Sequence, residues 1–245
     1  MKKSLLLCAL LLAATTGVAS ASGVNLGWSD CEGLPASQSR VFACTSNSGT
    51  NTLVGSYVTP AGVDSANGNE IVIDIQTSGA TLPQWWMMKN AGTCRQTALS
   101  MSFDFSTGPF TCFDYWAGQA LGSFGYTAPY AVYGPNRARI VGVCAIGGLS
   151  ASGIAPDTEV YSHKVSISNV KSTGLGACAG CSDGACIVLN SIKLTQNQRS
   201  TGGPKFMGNP AVRNFATWQA GIPGCGTPAT PARNATWGKV KSLYR

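Results

Sequence analysis

A Ser-His-Asp hydrolase needs a histidine as its base, and this sequence holds one, His163. It sits in Val160-Tyr-Ser-His-Lys-Val165, an alternating segment that places it on the polar face of a strand, at the surface. No Gly-x-Ser-x-Gly elbow accompanies it, because Gly-Leu-Ser-Ala-Ser at 148–152 fails at the last position. Glycoside hydrolysis by paired carboxyls needs two acids facing across a sugar ring. Among Asp74, Asp104, Asp114, Asp157 and Glu159, only Asp104 and Asp114 are expected near each other, on the two arms of an aromatic hairpin. With ten acidic residues in all, one close pair arises by chance. A secreted hydrolase using Asp104, Asp114 or His163 is therefore the most distant reading.

Thiol and metal chemistry would come from the cysteines. Ten are present, one of them, Cys8, inside the first apolar run. The other nine are Cys31, Cys44, Cys94, Cys112, Cys144, Cys178, Cys181, Cys186 and Cys225. Cys31–Cys44 and Cys94–Cys112 are the natural local pairs, since no cysteine intervenes in either interval, while the last five have no pairing legible from spacing. The cluster Cys178, Cys181, Cys186, with Cys225 as a distant fourth, has one spacing that zinc sites use. It lacks a second close pair, and an oxidising compartment favours disulfides, so no metal and no cofactor is expected. Nothing around it resembles the βαβ context of a redox Cys-x-x-Cys. Asp64, Asn67, Asn69 and Glu70 gather oxygens without the alternation that converges on calcium, and read as a polar turn.

Aromatic residues carry the remaining signal. Ten of the 21 lie between Phe103 and Tyr133, with Trp85-Trp86 just upstream. Most must fill a core. Trp85, Trp86, Tyr115 and Trp116 are the candidates for an exposed platform that meets sugar rings or a protein partner.

The elements that would position these groups are short strands. Residues 24–28, 40–44, 53–59, 70–76, 137–146, 159–170, 185–194 and 214–218 read as strands, and 118–136 as a Gly- and Tyr-rich loop or irregular strand. In 70–76, Ile71, Ile73 and Ile75 share one face and Val72, Asp74 and Gln76 the other. Leu99, Met101, Phe103 and Phe105, a Ser-Thr-Gly-Pro turn, then 110–115 read as a hairpin stapled by Cys94 and Cys112. No helical apolar stripe persists in the body of the chain. The expected fold is all-β: an antiparallel two-sheet sandwich, jelly-roll-like, stapled by disulfides, with a short C-terminal helix. The expected organisation is one sandwich domain at 22–220, a linker at 221–235, and a basic, aromatic helix at 236–245 with Trp237, Val240 and Tyr244 on one face.

Lys2 and Lys3, an apolar run from Leu5 to Ala14 and the small residues Ala19-Ser20-Ala21 form a secretory signal over 1–21. That run is too short for a bilayer and no later one is longer, so no membrane span is expected in the mature chain. Loss of the signal leaves 15 basic residues of the 17, against ten acidic ones. All eight charges after Asp183 are basic, but they are scattered over more than fifty positions, and an exported chain has no reason to meet nucleic acid. The sequence matches no motif whose function can be carried over. It predicts a secreted, non-catalytic sandwich, structural or binding a surface protein, with a carbohydrate-binding module as the alternative.

Overall fold

The computed structural model describes residues 23–31, 37–147, 151–208 and 214–225. The expected signal segment and the C-terminal helix lie outside the described residues. Eleven strands form two sheets: β1 (Val24–Trp28), β2 (Ser39–Arg40), β3 (Thr50–Val58), β4 (Ala66–Thr77), β5 (Leu99–Ser102), β6 (Leu121–Thr127), β7 (Arg137–Ala145), β8 (Glu159–Ser168), β9 (Ala185–Gln196), β10 (Lys205–Met207) and β11 (Phe215–Trp218). The smaller sheet runs β1-β3-β8-β5; the larger runs β2-β11-β9-β4-β7-β6, with β10 beside β9. Every pairing is antiparallel except β11 with β2. The all-β, two-sheet, disulfide-stapled sandwich is thus the fold.

Alternation decides which side chains enter the core. On β4, Ile71, Ile73 and Ile75 are buried while Glu70, Val72, Asp74 and Gln76 face outward, as the sequence predicts. On β9 the inward set is Ile187 and Leu189, then Ile192 and Leu194. The phase changes because the β4 register jumps between Val72 and Ile73, leaving Asn190 as the extra residue of a bulge. One extra residue exchanges the faces of everything beyond it.

A second bulge overturns the expected surface position of His163. Between Gly55 and Ser56 of β3 the partner on β8 shifts from His163 to Tyr161, so Ser162 is the extra residue. Alternation counted from Val160 puts His163 outside; counted back from Val165, across the bulge, it puts His163 inside. The histidine is fully buried, and its ring lies where a Cβ on Gly55 would stand, at 2.1–2.9 Å. Glycine is required at 55 by that close approach.

The expected central hairpin also gives way. Leu99, Phe103 and Phe105 do point into the protein, but β5 ends at Ser102 and pairs with β8, not with 110–115. Two carboxylates cause this. Asp104 accepts from the Ser106 amide and from the Ser106 and Thr107 hydroxyls, and Asp114 accepts from the amides of Phe105, Trp116 and Gly118. Backbone amides bound to these carboxylates are lost to a ladder, so 103–118 is a loop. Of the stretch read as a loop or irregular strand, 121–127 is the strand β6. Met101 and Phe103 occupy the space left by Gly142 and Gly122 on the facing sheet.

The two expected local disulfides are not made. The bridges are Cys31–Cys112, Cys44–Cys181, Cys94–Cys178 and Cys186–Cys225, with Cys144 left as a buried thiol. Each closes a separation of 39 to 137 residues, joining segments distant in sequence. In the chain-entropy account each such closure stabilises by about 4–5 kcal/mol. The bridge to Cys225 also holds the first residues of the expected linker against β9.

Candidate functional site

The residues singled out for chemistry are committed to structure. His163 Nδ1 lies 2.7 Å from Ser162 Oγ, whose hydroxyl donates to the Gly55 carbonyl at 3.1 Å. With that proton spent, Nδ1 is the donor and Nε2 is unprotonated; it makes no hydrogen bond among the described residues. Burial pushes the imidazole down to about 3, so it stays neutral. The Asp104 carboxylate is held at about 2 by its hydrogen bonds to Ser106 and Thr107, with Lys164 a smaller influence. Asp104 and Asp114 share one loop, each anchoring its own turn. Lys164 reaches the same loop from β8 and donates to the carbonyls of Thr107 and Pro109. Burial raises the Cys144 thiol to about 12. Among the described residues, no three His, Cys, Asp or Glu side chains group to hold a metal ion. Asp64 accepts from Ser200 and Thr201.

The expected aromatic platform turns inward. Trp85 and Trp86 form a 3₁₀ turn over Gln84–Trp86 and are fully buried, as Trp116 nearly is. Trp85 lies 4.6 Å from Trp218 and Trp86 lies 5.8 Å from it, centroid to centroid. Adjacent residues of a strand would face opposite ways, but a 3₁₀ turn lets both indoles reach the core. The Tyr115 hydroxyl is tied to Ser152 Oγ and to the Gly153 carbonyl. None of these four presents an open ring pair.

An exposed site is found instead on the outer face of the larger sheet. Cross-strand register places Ser123, Val143, Glu70, Lys193 and Phe206 in one row across β6, β7, β4, β9 and β10. The neighbouring row is Gly125, Val141, Val72 and Ser191, and Leu121 stands beside Ala145 on the other side. Leu121 is 80% exposed, Phe206 73%, and Val141 and Val143 44% each. Lys193 bridges the strip, pairing with Glu70 at 2.8 Å and lying 5.9 Å over the Phe206 ring.

Farther along the same face, Arg139 on β7 opposes Asp74 on β4. Its Nε and Nη2 donate to the two carboxylate oxygens at 2.6 and 2.7 Å, a bidentate pair, and Asn190 Nδ2 donates to the same carboxylate at 2.7 Å. Hydrogen bonding to Asp74 raises the Arg139 pKa further above its ordinary value. Two rings close over the guanidinium, Tyr130 at 4.5 Å and Tyr133 at 5.0 Å. The rings are 5.2 Å apart and tilted by 34°. Tyr133 is 54% exposed. The alternation of β4 already placed Asp74 outward. Tyr130 and Tyr133 lay in the stretch read as loop, where period-two spacing says nothing, and only the local density of tyrosine pointed to them.

No protein-family model matches the sequence, and no curated protein matches it. Among solved structures, a cohesin module of a Clostridium perfringens family 33 glycoside hydrolase is 9% identical, over 80% of this chain and 93% of that one, with a TM-score of 0.31. The sixth cohesin of Acetivibrio cellulolyticus scaffoldin B, solved with a dockerin, is 11% identical over 75% and 91%, with a TM-score of 0.32. The collagen-binding subdomain ACE19 of the Enterococcus faecalis surface protein ACE is 9% identical over 74% and 93%, with a TM-score of 0.25. The functional reading rests on the geometry of this chain.

Proposed function

We propose that this is an exported, non-catalytic interaction module that binds a surface protein through the outer face of its larger sheet. The observation that carries the reading is a strip of exposed side chains spanning five strands, with apolar Leu121, Val141 and Val143 at one end, Phe206 at the other and the Glu70–Lys193 ion pair between them. Exposed apolar side chains mixed with a few paired charges are what a protein partner covers. Export is supported by four disulfides, which persist outside a reducing cytosol. A non-catalytic role is supported by Asp104, Asp114 and His163, whose hydrogen bonds are made within the fold. Among the described residues no helix is long and apolar enough to cross a membrane.

Photo-crosslinking amino acids introduced at Phe206 and Val143, and at Leu175 as an exposed control, test this on cells exporting the chain. Expected is a discrete protein adduct from Phe206 and Val143 but not from Leu175. Adducts equal at all three positions, or absent from the first two, count against the reading.

A further inference from the structure

We propose that Tyr133 and Tyr130, with Arg139, Asp74 and Asn190, form a saccharide subsite that takes one pyranose unit of a neutral polysaccharide. The inference stands independently of the protein-docking strip, because different side chains carry it. A pyranose presents an apolar C–H face and a rim of hydroxyls that both donate and accept. Tyr133 offers an exposed ring for that face.

The polar groups beside it have hydrogen-bonding capacity to spare. The Tyr130 hydroxyl accepts from Arg139 Nη1 at 3.2 Å, which leaves its own proton to donate. The guanidinium uses three N–H groups on Asp74 and Tyr130, and its other two have no partner among the described residues. The Asn190 amide donates to Asp74, and its oxygen has no partner among the described residues. Donors and acceptors thus stand together, as sugar hydroxyls require. Asp74 cancels the charge of Arg139, which selects a neutral sugar over an anionic one.

The rings are also held in place before any ligand arrives. Their loop is bound to the sheet end by Tyr130 N to the Arg137 carbonyl, Thr77 N to the Asn136 carbonyl and Leu82 N to the Pro135 carbonyl. Asn136 Nδ2 donates to the Thr77 carbonyl as well. A fixed loop costs little entropy on binding.

The test is calorimetric titration of the exported protein with cellohexaose, xylohexaose, mannohexaose and N-acetylchitohexaose. At least one binds, Tyr133→Ala weakens it by about tenfold, and Tyr133→Phe stays within about twofold because the ring remains. Val143→Asp, on the docking strip, leaves the affinity unchanged. Tyr133 is exposed, so its replacement leaves the fold intact, checked by an unchanged melting temperature. No binding to any of the four at millimolar concentration overturns the proposal. So does binding that Tyr133→Ala leaves intact, and so does binding lost in Val143→Asp but kept in Tyr133→Ala, which would assign the sugar to the apolar strip.

Discussion

Among the described residues two arginines lie over aromatic rings, and they serve opposite ends. Arg95 is buried, its guanidinium carbon 3.5 Å over Trp85, in an interior where Trp28, Trp85, Trp86 and Trp218 meet with Phe42 stacked at 4.2 Å on Trp218. No carboxylate meets it among the described residues; it donates to the carbonyls of Trp85, Val170 and Ser168. Burial lowers it to about 10, so it is still charged at neutral pH. Arg139 lies over two tyrosines on the surface and pairs with a carboxylate. The same cation–ring contact is a keystone where water is excluded and an accessible surface where it is not. Burial of the surrounding groups separates the two roles.

Replacements at the two centres should therefore differ most in stability. Trp218→Ala removes a ring that touches three other aromatic side chains besides Trp28 and whose indole donates to the Cys181 carbonyl at 2.7 Å. It should destabilise by about 4 kcal/mol, read from urea unfolding. Tyr133→Ala should cost less than about 0.5 kcal/mol. Equal losses would erase the distinction.

Arg95→Met tests the polar half of the buried centre. The methionine fills part of the volume, but one buried and two partly buried carbonyls lose their donors, at a cost of about 3 kcal/mol. The same assay, with intact disulfides confirmed by mass spectrometry, gives the answer. A neutral outcome would mean that desolvating the cation had cost as much as its hydrogen bonds returned.

His163 shows the same interior refusing a charge where no acceptor is at hand. Its folded pKa, about 3, lies below the ordinary value of 6.5. Between these, the unfolded chain binds a proton that the folded chain does not. Stability is therefore full above pH 6.5 and falls as the pH drops toward 3, by about 1 kcal/mol per unit. Urea midpoints at pH 7, 6, 5 and 4 should show this slope, and His163→Leu should flatten it. Arg95→Met should leave the slope unchanged, since an arginine does not titrate in that range.

Much of this architecture is written in period-two spacing. Residues 24–28 are β1 as expected, and the outward Asp74 follows from Ile71, Ile73 and Ile75. Alternation cannot report a bulge, so His163 is misplaced by the one residue Ser162. Nor does it name a strand's partner: Leu99 and Phe103 face inward as read, yet against β8 and the large sheet rather than 110–115. Cysteine proximity in sequence failed for the same reason, because Cys31 and Cys112 are neighbours only once the 103–118 loop folds over β3 and β8 of the smaller sheet. The tryptophan doublet looked like a platform because its 3₁₀ turn is a local deviation with no periodic signature. The tyrosines of the surface centre sit in a loop whose carbonyls accept hydrogen bonds from the distant amides of Thr77 and Leu82, which sequence spacing does not encode.

Arg139→Lys makes the smallest change and sharpens the comparison most. A lysine keeps the charge and can still meet Asp74, but it loses the planar fork that binds both carboxylate oxygens and the flat face under Tyr130 and Tyr133. Because the pair is a partly exposed surface contact, the cost to stability should stay below about 1 kcal/mol. The rings, however, lose the plane that sets their tilt. If the surface centre serves binding, oligosaccharide affinity falls several-fold in Arg139→Lys while the unfolding curve hardly moves. If it is a second keystone like Arg95, stability falls and affinity is untouched. The pair of measurements on one conservative variant thus separates holding the fold from meeting a ligand, the distinction that burial alone draws between the two arginines.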